Sequence, residues 1–463
     1  MFKCMGICSE CGRCQGAAMM RGANERKARM VSFPEDFQAD RSMSGLGMAF
    51  DIGTTTVVGM LWDFDRRKQL AVAARTNPQN EYGMDVISRI TFCNRRDGNT
   101  SILRKQITDC LNEITEESCR EAGAEPEGIK KVVVCGNTTM SHIFAGYPPR
   151  SLALAPFKPE YEGAVSMSGR EAMLNTGGDA RITVLPNIAG HVGGDITAGL
   201  VACRIWKMKG LTLFIDIGTN GEIVLCDGKR MLACSTAAGP AFEGAFIKDG
   251  MRAADGAIEK VMIRDGDVGI KTIGNRQPQG ICGSGIIDAI AQMLDNRLIS
   301  GTGKLAGERE MKSGKVDERL AKLISKEDGE KLFLLAGRTD GSPISITQKD
   351  IREVQLAKGA VRTGMEMMLK ELGKDVCDID RVILAGAFGN YIDKINAVRI
   401  GLLPDVAPEK IVSAGNTAGT GTLMALASER ERAMAEEISK AVEHIELADR
   451  SDFQETYMAS LGF

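Results

Sequence analysis

The feature that most constrains this chain is a turn that occurs twice. At positions 46–65 the sequence LGMAFDIGTTTVVGMLWDFD runs an apolar strand into Asp51, a glycine-threonine turn and a second apolar strand. At 211–226 LTLFIDIGTNGEIVLC repeats the arrangement around Asp216, 165 positions later. Gly53 and Gly218 permit a tight hairpin, so backbone N–H groups and the side chains of Thr54, Thr55 and Thr56, or of Thr219 and Asn220, can converge on one point. That is the equipment for holding phosphate oxygens. An aspartate ending each strand can hold Mg²⁺, an ion that keeps several waters and takes one or two carboxylates. One such turn alone reads as an ordinary hairpin, whereas two in the same strand context read as a duplicated half-domain.

The rest of each half continues in parallel. Helical sequence at 102–122 precedes the strand-and-turn KVVVCGNTTM, and helical sequence at 347–372 precedes RVILAGAFGNY. Strands alternating with helices predict an α/β fold of mixed sheets covered by helices, with ligands at the carboxyl ends of the strands. Two such halves, expected over 46–205 and 206–463 with the boundary near 198–211, would face each other across a cleft. The charged stretch 298–338 reads as an insertion, and 428–441 as a charged C-terminal helix with a solvated face.

Further small-residue turns fall where a cleft would need them. LPNIAGHVGGDITAGL places Asp195 where a loop opens into a helix, either to cap that helix or to face the cleft and orient water. STAAGPAFEG (with Gly239, Pro240 and Glu243), ICGSGIID (Gly283 and Ser284) and LAGAFGN (Gly386, Phe388, Gly389 and Asn390) suit close approach of a nucleotide. Tight packing is the alternative for each of them.

Four of the 13 cysteines, Cys4, Cys8, Cys11 and Cys14, crowd into the first residues, and the other nine are scattered singly. A disulfide framework suits short secreted chains, so the cluster reads as a metal site in a reducing compartment. The spacing C-x3-C-x2-C-x2-C can wrap a 4Fe-4S cube and matches neither the plant-type ferredoxin spacing nor a two-knuckle zinc site. A tight Cys4 zinc loop is the alternative. The C-x3-C-x2-C portion also occurs in radical S-adenosylmethionine enzymes, but no repeated βα units follow it here. Residues 1–20 are thus expected to form a cluster segment and 21–45 a polar linker that lets it swing.

With 58 basic and 61 acidic residues, the net charge of −3 offers no global field to draw nucleic acid or anionic lipid. No run of about 18 apolar residues and no apolar signal region occur, so a cytoplasmic protein is expected.

The constellation as a whole resembles the acetate and sugar kinase, heat-shock chaperone and actin superfamily. That resemblance implies a duplicated ribonuclease-H-like (actin-like) ATPase fold binding ATP between its halves. More narrowly, GNTTM, LPNIAGHVGGDI, IDIGTNGEIVL, STAAGPAFEGA, ITQKDIREVQLAKGAVRTG, LAGAFGNYIDKINAVRIGLLPD and GNTAGTGTLMAL look like the ATP-dependent reductive activators of corrinoid proteins, over about residues 46–463. The amino end departs from the family pattern, which carries a plant-type 2Fe-2S domain or clusters near the other terminus.

This resemblance implies an anaerobic ATPase that passes one electron from its cluster to a corrinoid protein, returning cobalt(II) to cobalt(I), and that is recharged by an upstream electron donor. A homodimer is expected. Asp51 and Asp216 would hold Mg²⁺, and Asp195 would position water. Rival readings are an activator of another low-potential metalloprotein in the manner of the 2-hydroxyacyl-CoA dehydratase systems, a small-molecule kinase, and a chaperone-type ATP-driven binding protein. The last two have no use for four amino-terminal cysteines.

Overall fold

The computed structural model describes residues 31–389 and 391–463, with Ala387 and Phe388 by backbone only. Strand β1 (Leu46–Ile52) is buried on both faces, with Met48, Ala49, Phe50 and Ile52 fully enclosed. Such a near-continuous apolar strand belongs at the middle of a sheet covered by helices on both sides. It pairs antiparallel with β2 (Thr56–Asp63), which pairs with β3 (Lys68–Thr76). β4 (Ile129–Gly136) joins the other edge of β1 in parallel. β5 (Val165–Ser168) and β6 (Arg181–Val184) complete the order β3-β2-β1-β4-β6-β5.

The second half repeats this plan. β7 (Leu211–Ile217), β8 (Gly221–Cys226) and β9 (Met231–Thr236) form an antiparallel meander. Two small sheets follow, one of β10 (Ala257–Arg264), β11 (Asp267–Thr272) and β12 (Gly280–Ile281), the other of β13 (Ile324–Glu327), β14 (Glu330–Gly337) and β15 (Pro343–Thr347). β16 (Ile379–Ala385) then returns parallel to β7, with β17 (Ile411–Gly415) beside it and β18 (Val442–His444) on the far edge. The order β17-β16-β7-β8-β9-β18, read in reverse, matches that of the first sheet, strand for strand, from β3 through β6.

Between the two sheets lie the helices Gly194–Cys203 and Thr417–Ala427. Their Ile196, Ala198, Leu423 and Met424 share one core with Ala49 and Val133 of the first sheet and Phe214, Val224 and Ile383 of the second. This shared core sets the two hairpin turns facing one another.

The stretch 298–338, read as an insertion, buries Leu305, Val316, Leu320 and Phe333 in the core of the second half. Two expectations are corrected. The helix Glu429–Ala441 is not simply solvated, since Glu431, Ala435 and Ile438 recur at helical spacing on a buried face. Nor is the later part of the linker free to swing. Val31, Phe33, Phe37, Ala39 and Met43 pack against the shared core, and Phe33 stacks on Phe37 at 4.5 Å and meets Trp62 edge-on at 5.8 Å. The cluster cysteines lie outside the described residues.

Candidate functional site

The two turns form opposite walls of a cleft of about 340 Å³. On the first wall, Gly53 N donates to Thr56 O at 3.0 Å, closing the turn between β1 and β2. A Cβ on Gly53 would lie 2.6 Å from that same oxygen, so only glycine fits. Buried neighbours hold the turn from behind, Asn77 Nδ2 donating to Gly53 O at 2.9 Å and Arg89 Nη2 to Thr54 O, while half-buried Asn137 donates from Nδ2 to Thr54 Oγ1 at 2.9 Å. On the second wall, Gly218 N donates to Asn220 O at 2.8 Å. Gly386, at φ 77°, faces Asp216 so closely that a Cβ would stand 2.4 Å from Oδ1. A side chain there would displace the carboxylate.

Asp51, Asp195, Asp216 and Glu222 all line the cleft, and Arg252 is the one basic residue among the described residues that line it. Burial raises Asp51 to about 6, against hydrogen bonds from Asn416 and Cys135 that favour the charged form. Burial first, then repulsion from Asp216 and Asp51, raises Asp195 to about 7. Asp216 rises to about 7 by burial and by Asp51, and Glu222 is pushed well up by burial and by Asp195 and Asp216. Carboxylates that raise each other in this way are short of positive charge, and a cation between them supplies it. Among the described residues no three acidic, histidine or cysteine side chains close on one point. The spread therefore suits a hydrated ion shared with phosphate oxygens rather than an all-protein cage.

Asp195 lies in the first turn of the helix Gly194–Cys203, whose N-cap is Gly193. It therefore does not take the N-cap position, although its Oδ1 accepts from Ile196 N at 2.8 Å. Glu243 stands at the end of the single helical turn Pro240–Glu243 and reaches both walls, accepting from Thr55 Oγ1 and from Thr219 Oγ1.

Thr54, Thr55, Thr56, Thr219, Asn220, Glu243, Gly283, Ser284 and Gly386 line the cleft. Gly239, Pro240 and Gly389 do not. Gly239, at φ 74°, opens the helical turn that carries Glu243, and Gly389 is buried under Ser413, which donates to its carbonyl at 3.1 Å. The Ser284 hydroxyl is committed to Glu259 O at 3.0 Å. Asn390 and the Phe388 side chain lie outside the described residues. Sequence reasoning missed Glu222, Asn137 and Asn416 as site residues. For the two asparagines the signal was the Gly-Asn-Thr triplet at the end of a strand at both Gly136 and Gly415, with its asparagine capping the next helix each time.

Comparison with known proteins finds relatives over most of the chain. Residues 46–208 match the family model described as the RACo middle region, and residues 210–463 match the C-terminal domain of RACo, the ASKHA domain. The corrinoid activation enzyme RamQ of Eubacterium limosum is 39% identical over 435 residues, spanning 94% of this chain and 73% of that one. The [Co(II) methylated amine-specific corrinoid protein] reductase of Methanosarcina barkeri is 26% identical over 460 residues, 90% of this chain and 77% of the relative. Among solved structures, a reductive activator for a corrinoid, iron-sulfur protein superposes with a TM-score of 0.80 at 36% identity, covering 92% of this chain and 67% of that one.

Proposed function

This chain belongs to the RACo family, and from that premise we propose that it is the ATP-driven electron donor that returns the cobalt of a corrinoid protein from cobalt(II) to cobalt(I). The observation that carries the reading is the pair of facing turns, whose threonines meet at the single carboxylate of Glu243. Two phosphate-holding turns brought that close can grip one polyphosphate chain from both sides. The names of the relatives supply the acceptor.

The roles follow from the walls. The turn amides and the hydroxyls of Thr54, Thr55, Thr56 and Thr219 bind phosphate oxygens. Asp51 and Asp216, short of positive charge, hold Mg²⁺, which when bound neutralises charge developing on the transferred phosphoryl group. Asp195, half-buried beside them at a helix start, orients the attacking water and takes its proton.

Electrons come from the amino-terminal segment. Four thiolates at Cys4, Cys8, Cys11 and Cys14 form a donor set suited to a 4Fe-4S cluster, which when bound supplies a one-electron reservoir. A cluster held there would supply the single electron that returning cobalt(II) to cobalt(I) requires, while the residues of the cleft turn ATP and water into ADP and phosphate. A separate low-potential donor restores the electron. No helix among the described residues is long and apolar enough to cross a membrane. Nine free cysteines among the described residues, most of them buried, fit a reducing compartment and support a cytoplasmic reading. A homodimer is the expected assembly.

The test mixes reduced protein, MgATP and a cobalt(II) corrinoid protein of the same organism without oxygen and follows the cobalt(I) absorption band. The band should grow only with ATP. Growth at the same rate without ATP, or no growth with any corrinoid protein the organism encodes, overturns the assignment.

A further inference from the structure

Two helices of the shared core each begin at the cleft and end at the segment 31–45. The helix Gly194–Cys203 carries Asp195 in its first turn and stops at Arg204, in the left-handed region at φ 55°. The Arg204 guanidinium is 11% exposed. Its Nε donates to Asp36 Oδ1 at 3.0 Å, and its Nη2 and Nη1 grip the buried carboxylate of Glu431, the former at 2.7 Å. Lys207 also pairs with Asp36. The helix Thr417–Ala427 starts from Asn416, which hydrogen-bonds Asp51 in the cleft. At its other end the Ala427 carbonyl accepts from Asp40 N at 2.9 Å, and the Asp40 carboxylate accepts from Glu429 N at 2.8 Å.

The two helices touch backbone to backbone. A Cβ on Gly421 would stand 1.8 Å from Ala198 O, and one on Gly199 would stand 2.9 Å from Thr417 Oγ1. Helices in such contact shift together rather than slide independently, because close-packed cores do not deform smoothly. The pair is about 15 Å long by its residue count. One end carries Asp195 and, through Asn416, holds Asp51. The other holds Asp36 and Asp40.

We propose that residues 31–45 are a nucleotide-sensing strap: the helix pair carries a displacement of Asp51 or Asp195 to Asp36 and Asp40, and so to the root of the cysteine-bearing segment. Arg204 is the positioning residue of this relay. Its ion pairs to Asp36 and Glu431 tie the strap, the helix from the cleft and the helix Glu429–Ala441 into one joint. Only the electron-delivery readout below depends on the corrinoid assignment.

The test has two arms on the full-length, cluster-loaded protein. In the first, the double variant Asp36→Ala, Asp40→Ala is compared with the parent. ATP hydrolysis without acceptor should stay within about twofold, while cobalt(I) formed per ATP hydrolysed should fall about tenfold, the size of an ordinary coupling between sites. An unchanged ratio, or equal loss of both activities, reduces the strap to a stabilising contact and overturns the proposal. The second arm needs neither a variant nor an acceptor. Amide hydrogen exchange of residues 31–45 in the parent should differ between MgADP and a non-hydrolysable MgATP analogue. Identical exchange overturns the proposal even if the acceptor is not a corrinoid, and a nucleotide-dependent difference supports it in either case.

Discussion

Thr55 and Glu243 are 188 residues apart in the chain, yet Thr55 Oγ1 donates to Glu243 Oε2 at 3.2 Å. The other carboxylate oxygen accepts from Thr219. A carboxylate thus stands between the two turns proposed to hold phosphate. Incoming phosphates must displace it or share the hydroxyls with it.

Replacing that charge should tighten binding. Glu243→Gln keeps the shape and can still hydrogen-bond both hydroxyls but removes repulsion of the phosphates. At roughly 1 kcal/mol for two charges about 4 Å apart in a wet cleft, the Kd for MgATP should fall about threefold to tenfold by titration calorimetry. Weaker binding would mean that the carboxylate helps to hold the nucleotide or its cation.

Asp195→Asn should leave ATP affinity nearly unchanged and lower hydrolysis by about 10², the usual contribution of a positioned base. Because burial and its acidic neighbours raise Asp195, hydrolysis in the parent should also decline in acid, at a higher pH than an ordinary carboxylate would give, because the protonated carboxyl cannot accept a proton. Turnover indifferent to the substitution would leave Asp195 as no more than a helix-start carboxylate.

The same carboxylates set a pH dependence of stability. Asp51, Asp195 and Asp216 hold their protons more tightly folded than unfolded, with values of about 6 to 7 against an ordinary 3.8. The native state therefore binds more protons, and stability falls as pH rises from about 4 to about 7. A cation that binds the ionised set offsets the loss. Thermal melts should show a Tm gain from Mg²⁺ that is several degrees larger at pH 8 than at pH 5, and Asp216→Asn should raise the metal-free Tm at pH 8. Equal gains at both pH values would show that the ion does not bind these groups.

The two turns were legible in the sequence because each condition on them is local. A strand end needs its aspartate, the tight turn its glycine and the phosphate its hydroxyls, and both copies carry all three. Asn137 and Asn416 were less legible because their roles arise only when distant segments meet: Asn416 serves a carboxylate 365 positions earlier in the chain. The docking of residues 31–45 was hidden for a different reason. Phe33, Phe37 and Met43 stand at no regular period among charged residues, and a segment held by scattered apolar contacts and ion pairs reads as a polar linker. On the helix Glu429–Ala441, Glu431 looked like surface, but its buried partner Arg204 lies 227 positions away.

The amino-terminal cysteines offer the sharpest separation of the two halves of the chemistry. Every described residue lining the cleft comes from Asp51 or later, so changing Cys8 to serine should leave the Kd for MgATP as it is. The parent should contain about four iron and four sulfide per chain, or about half that if a dimer shares one cluster. The variant should lose them together with ATP-dependent formation of cobalt(I). A single zinc per chain with no charge-transfer absorption, after purification without oxygen, would assign the four thiolates a structural role. The electron would then have to reach the corrinoid from outside this chain. Loss of ATP binding in Cys8→Ser would instead mean that the segment supports the cleft directly, and the division between an electron-carrying segment and an ATP-hydrolysing body would fail.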